Sequence, residues 1–168
     1  MKRTLCGYSP SRPVAVAKML EVAQIKQGEI LYDVGCGDGR LPIAAAKDYG
    51  IRSIGIEIDP LFAKAAAEQV KKEGLEELVT IVEGDVFFYS LKDADIVTLY
   101  LDSKGMKIIE RKIFTELRPT ARVVSNDFQF PNFLPNEIYG YVAESLIPSL
   151  SRHVFLYRMD DLRKKPRR

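Results

Sequence analysis

The residues best suited to chemistry stand in three short stretches. Asp33-Val-Gly-Cys-Gly-Asp-Gly39 follows the apolar run Ile30-Leu-Tyr32 and sets glycines at alternate positions 35, 37 and 39. Glu57 closes the run Ile54-Gly-Ile-Glu57, and Asp85 stands in Gly84-Asp-Val86. Glycines take positive φ and let a ligand lie against bare backbone. A helix opening directly behind them turns N–H groups toward an anionic group. Glu57 follows Gly35 by about 20 positions, the spacing at which an acid accepts from both hydroxyls of a ribose. Asp85 is placed to accept from an adenine amino group. A single acid at a strand end is usually a solubilising group; three acids after successive strands read as a nucleotide-type cofactor site.

These residues need strands and helices to hold them. Ser11 and Pro13 open a helix that carries Val16, Leu20 and Ala23 on one face. Ile30 to Asp33 is a strand, and Leu41 to Tyr49 a helix closed by Gly50. Arg52 to Ile58 alternates as a second strand, and Asp59-Pro60 starts a helix with Phe62, Ala66 and Val70 that ends at Gly74. Leu78 to Val82 and Asp95 to Leu101 are further strands, with Phe87, Phe88 and Tyr89 as packing in the connection. A helix with Met106, Ile109, Ile113 and Leu117 stops before Pro119, and Ala121 to Ser125 is a fifth strand. Tyr139 to Leu146 and His153 to Met159 have only a loop between them and should pair antiparallel at one edge. The alternation predicts an α/β fold: a Rossmann-like, seven-stranded, mostly parallel sheet with helices on both faces and an antiparallel edge strand.

The 168 residues suit one domain, with 1–26 as an N-terminal lid and helix and 160–168 as a basic tail. The net charge of +2 is uneven, because residues 163–168 hold Arg163, Lys164, Lys165, Arg167 and Arg168. The tail reads as a solvated, frayed end. The body lacks net positive charge, which argues against a large nucleic-acid footprint. No run is long enough for a membrane span, and Tyr8 to Arg12 is too polar for a signal-peptide core. Two cysteines and one histidine exclude a disulfide framework and most zinc sites, and point to a reducing cytoplasm.

A dinucleotide loop has its third glycine where this chain has Arg40. Asp33 and Asp38 would also face the phosphates. S-adenosylmethionine has no phosphate and carries an ammonium and a sulfonium, so it suits acids around the loop better. Its one carboxylate could be held by N–H groups at the helix start. A nucleophilic cysteine or an Asn/Asp-Pro-Pro-aromatic turn after the fourth strand is missing, since that place reads Leu101-Asp-Ser-Lys104. That disfavours enzymes acting on cytosine C5 and those acting on exocyclic amines.

The three ordered motifs resemble the class I methyltransferase pattern. Tyr8-Ser-Pro10, Tyr32 to Arg40, Asp95-Ile-Val-Thr-Leu-Tyr100 and Arg122-Val-Val-Ser125 with Phe128 resemble small archaeal protein lysine methyltransferases. Those are relatives of the non-SET histone lysine methyltransferases and of a mitochondrial group that modifies lysines of membrane proteins. The resemblance implies S-adenosylmethionine bound by Asp33, Gly35, Cys36, Gly37, Glu57, Ile58, Asp85 and Val86, with the Tyr8 segment closing over it. It implies a protein substrate presenting lysine, with nucleic acid a less favoured partner. An RNA or small-molecule methyltransferase and a non-catalytic cofactor-binding module are the alternatives. A lysine must lose its proton before it can accept a methyl group, and an aromatic channel helps by desolvating it. Tyr100, Phe128 and Phe130 are the candidate walls, and Asp127 could orient the amine or cap a turn before Pro131. Glu57→Ala is expected to weaken cofactor binding and leave folding intact.

Overall fold

A computed structural model describes residues 11–142 and 151–164. Five strands, β1 (Ile30–Val34), β2 (Arg52–Glu57), β3 (Val79–Glu83), β4 (Ile96–Leu99) and β5 (Arg122–Asn126), alternate with helices. The helices are α1 (Pro13–Ala23) before β1, α2 (Arg40–Tyr49), α3 (Pro60–Lys72) and α4 (Ser103–Glu116). β3 and β4 are joined through one short 3-10 turn, Val86–Phe88, in place of a long helix. The chain then adds β6 (Phe133–Leu134), β7 (Glu137–Val142), β8 (Ser151–Arg158) and β9 (Arg163–Lys164).

The main sheet has seven strands in the order β3-β2-β1-β4-β5-β8-β7. β1 to β5 are parallel, and β8 is antiparallel to both β5 and β7. The expected antiparallel pair therefore stands at one edge, with β8 as the reversed strand and β7 outside it. The order reverses between β1 and β4, and a crevice opens beyond the carboxyl ends of the strands at such a switch point.

Alternate side chains of each central strand feed two cores. Leu31, Ile96, Val124, Val154 and Leu156 meet α1 and α2 through Met19, Leu20, Ala23, Leu41 and Ala45. Val97, Val123, Phe155 and Tyr157 meet α4 on the opposite face through Met106, Ile109 and Ile113. Helices thus cover both faces.

Local signals set the helix ends. Asp59 accepts from Leu61 N at 2.8 Å and Asp102 from Gly105 N at 2.7 Å, so each caps its helix. α1 begins behind Arg12, without a side-chain cap from Ser11. It ends on Gln24 in the left-handed region at φ 50. Buried Arg122 holds that end, donating to the carbonyls of Ala23 and Gln24 and to both carboxylate oxygens of Glu29.

The expected first helix spans Pro13–Ala23 and packs on the sheet; residues 1–10 lie outside the described residues. Two expectations change. The basic tail is not simply frayed, since Arg163–Lys164 pairs antiparallel with Phe133–Leu134. The strand expected over 139–146 spans Glu137–Val142, and 143–150 fall outside the described residues.

Candidate active site

The glycine loop links the end of β1 to α2, and Gly35, Gly37 and Gly39 all have positive φ, at 76, 56 and 78. Gly39 is also crowded, because a Cβ there would stand 3.0 Å from Ala66 Cβ of α3. The loop's own N–H groups are largely engaged. Gly35 N and Cys36 N donate to Ile56 O, Gly39 N to Cys36 O, and Gly37 N to Glu57 Oε2 at 2.8 Å. A phosphate nest needs such groups unspent, so the loop is shaped for close approach of a ligand and not for a pyrophosphate. Asp38 does not act as expected. Arg40 grips both of its oxygens and also donates to Ser11 O at 2.6 Å, so its charge is neutralised within the loop.

The predicted acids gather around this loop. Glu57 is buried and accepts from Gly37 N and from Asp59 N at 2.9 Å, which ties the loop to the start of α3. Its syn and anti lone pairs exceed these two bonds, so acceptor capacity remains for a diol. Asp33 is buried at the end of β1 and accepts from Thr98 Oγ1 at 2.7 Å through Oδ1. Burial pushes its carboxyl up to about 7; the Thr98 bond opposes the rise, and Glu57 and Asp38 add to it. Asp33 Oδ2 accepts no hydrogen bond among the described residues and is not fully sealed from solvent. Asp85 is buried, with Oδ1 accepting from Phe87 N at 3.0 Å, beside buried Val86. Ile58 follows β2 and is half-buried. Cys36 packs its sulfur against Gly55, where a Cβ would come within 2.6 Å of it, and burial pushes its thiol far up, so it is a packing residue with no nucleophilic role.

Register carries the site across the sheet. Leu99 of β4 is level with Val34 and Ser125, so Gly35 and Tyr100, just beyond β1 and β4, stand side by side with Asn126, the last residue of β5. Tyr100 is half-buried there. Asp127 has φ 60, and Phe128 N donates across it to Asn126 O at 2.7 Å. This is a γ-turn of the rare, strained hand, and strain of that kind collects at functional sites. Asp127 Oδ2 accepts from Arg152 Nη1 at 2.6 Å and from Asn126 Nδ2 at 3.3 Å. Tyr141 Oη donates to Asn126 Oδ1 at 2.9 Å. Burial and then the charge of Asp127 raise the Tyr141 phenol, with Tyr100 contributing as well.

Phe128 and Phe130 separate. Phe128 is half-buried and packs partly against the core, leaving it able to border the crevice. Phe130 is fully buried, edge-on to Phe114 and Tyr157, and its N–H donates to Tyr157 Oη; it is core and not a channel wall. Tyr8 lies outside the described residues. The sequence reading missed Tyr141 and Arg152, because β7 and β8 carry no motif and only their pairing register brings them to β5, and with them Asn126 at the end of β5.

A switch-point crevice with a glycine loop, three strand-end acids and a sheet of this order defines the class I methyltransferases. The chain matches the ANTKMT methyltransferase domain family over residues 33–137. It is 36% identical over 132 residues to a protein-lysine N-methyltransferase of Saccharolobus islandicus, covering 78% of this chain and 82% of that one. It is 30% identical over 126 residues to the adenine nucleotide translocase lysine N-methyltransferase of Mus musculus, covering 74% of this chain but 54% of that one. In three dimensions it is similar to an RNA methyltransferase of Salinibacter ruber solved with S-adenosyl-L-homocysteine. That likeness has a TM-score of 0.80 and 34% identity, covering 90% of this chain and 94% of that one. The chain belongs to the ANTKMT methyltransferase domain family and is an S-adenosylmethionine-dependent methyltransferase.

The residues present fit that cofactor. The glycines leave room against the backbone, Glu57 has acceptor capacity for the ribose, and Asp85 and Asp33 each have an oxygen beyond the Phe87 and Thr98 bonds.

Proposed function

We propose that this methyltransferase acts on the ε-amine of a protein lysine. When bound, S-adenosylmethionine supplies an electrophilic methyl group. The chain's part is to hold a free amine in line with that methyl group and to exclude water. The observation that carries the reading is the strained Asp127 turn, which follows β5, one strand beyond Tyr100 and two beyond the glycine loop. Neighbouring strands lie about 4.8 Å apart, so an amine between Asp127 and Tyr100 is within reach of a group seated over Gly35. Tyr100 and Phe128 supply the apolar borders, and relatives named for lysine methylation support the same acceptor. We place the reaction in the cytoplasm on the cysteine content.

The Salinibacter structure named for RNA favours a second reading, a nucleic-acid acceptor. Incubation with radiolabelled S-adenosylmethionine and cell extract, followed by complete hydrolysis, decides between them. Label in methyl-lysine is expected. Label recovered in a nucleoside overturns the lysine reading, and cofactor binding with no covalent label makes the chain a binding module.

A further inference from the structure

We propose that Arg152 is a positioning residue that neutralises Asp127 and thereby admits the acceptor amine as its free base. The inference rests on the lysine reading above and assigns a role to residues from β7 and β8 that no motif marks.

A lysine amine is a cation at neutral pH and has no lone pair to give. A lone, nearly buried carboxylate at the acceptor position would hold that cation and keep it protonated. Asp127 is not alone. Its side chain is 10% exposed, and Arg152 reaches Oδ2 from β8 at 2.6 Å. Asn126 Nδ2 donates to the same oxygen at 3.3 Å, and Tyr141 on β7 fixes Asn126 through its Oδ1. Oδ1 of Asp127 accepts no hydrogen bond among the described residues. Arg152 therefore removes the net negative charge and pins one oxygen, while the other stays available to orient an N–H of the incoming amine.

Among the described residues, three groups stand around this pair. Tyr100 comes from the end of β4, Tyr141 from β7 and His153 from β8, whose carbonyl accepts from Asp127 N. On α1, Lys18 pairs with Glu21 and lies over the Tyr139 ring. Arg152 is the basic side chain bonded to Asp127 among the described residues.

In this arrangement the lysine ammonium gives its proton to solvent on entry. The amine lone pair then forms the N–C bond as the C–S bond breaks, the sulfur keeping that electron pair. The resulting methylammonium keeps its two N–H protons and leaves as a cation, since such an amine stays protonated in water near neutral pH.

The test follows methyl-lysine formation on nucleic-acid-free extract protein, with saturating cofactor, as a function of pH for Arg152→Gln, Arg152→Lys and Asp127→Asn. Arg152→Gln should move the rising limb of kcat, which reports the bound amine, to higher pH by about one unit, a tenfold loss at fixed pH on that limb. KM should fall, because the protonated amine now binds the bare carboxylate, and kcat should fall with it. Arg152→Lys should restore most of the limb. Asp127→Asn should move it to lower pH, the opposite direction. Cofactor affinity by calorimetry should stay unchanged in all three. Limbs that coincide with the wild type, or that move together, overturn the role of Arg152 while methyl-lysine still forms. Methyl-lysine formed by none of the proteins, wild type included, overturns the lysine reading itself. If Arg152→Gln fails to fold, the opposite-sign shift of Asp127→Asn still decides.

Discussion

Asp33 and Glu57 are both cofactor-site acids, yet the protein treats them differently. A carboxyl that ionises near 3.8 in the unfolded chain and near 7 when folded holds more protons folded than unfolded between those values. The stability from Asp33 is full below about pH 4 and is lost as pH rises through 7. Glu29, Glu116 and Glu137, all lowered by partners, lose theirs only in the acid range below the ordinary glutamate value. Melting of the cofactor-free protein should therefore fall between pH 5.5 and 8, and Asp33→Asn should flatten that slope. Cofactor cations beside Asp33 should expel its proton, seen as buffer-dependent binding enthalpy near pH 7. Glu57 instead anchors two backbone N–H groups. Glu57→Ala leaves them unpaired and should cost about 2–4 kcal/mol of stability, so the expectation of intact folding is revised. Glu57→Gln keeps an acceptor for one N–H and isolates the effect on cofactor binding, readable by calorimetry against a melting control.

Among the elements, the glycine loop and the strand ends were legible because local chemistry dictates them. Asp33 ends an apolar strand, the glycines need positive φ, and Asp59-Pro60 announces a helix start by capping. Gly39→Ala should bring both a left-handed penalty of about 1–2 kcal/mol and a clash with Ala66, lowering the melting temperature through the α2–α3 contact. What the sequence hid depends on long-range pairing. Arg152 is level with Tyr141 and close to Asp127 only because β8 reverses between β5 and β7. Phe130 and Phe128 look alike in sequence, and the aromatic packing of Phe114, Phe133 and Tyr157 assigns one of them to the core. The charge of Asp38 was misjudged for a similar reason, since its pairing with Arg40 is set by loop geometry.

At the scale of the molecule, one buried side chain fastens α1 to the sheet. Arg122 spans the two carbonyls that end α1 and the Glu29 carboxylate before β1, with 8% and 16% of the two charged side chains exposed. Removing one partner of such a pair strands the other charge. Arg122→Met should therefore cost about 3–5 kcal/mol, read as a shifted denaturation midpoint with an unchanged slope. The cofactor half of the site lies on β1, β2 and β3, so a variant that still folds should retain cofactor affinity.

The position of β8 has a consequence during synthesis. β7 leaves the ribosome before β8, yet among the described residues its partner in the sheet is β8, and β5 keeps an open edge until β8 arrives. At translation speeds of about 5–20 residues per second, a nascent chain would hold a complete glycine loop and its acids for seconds before Arg152 exists. For that interval the emerging protein could retain its methyl donor but not compose the pair that receives an acceptor.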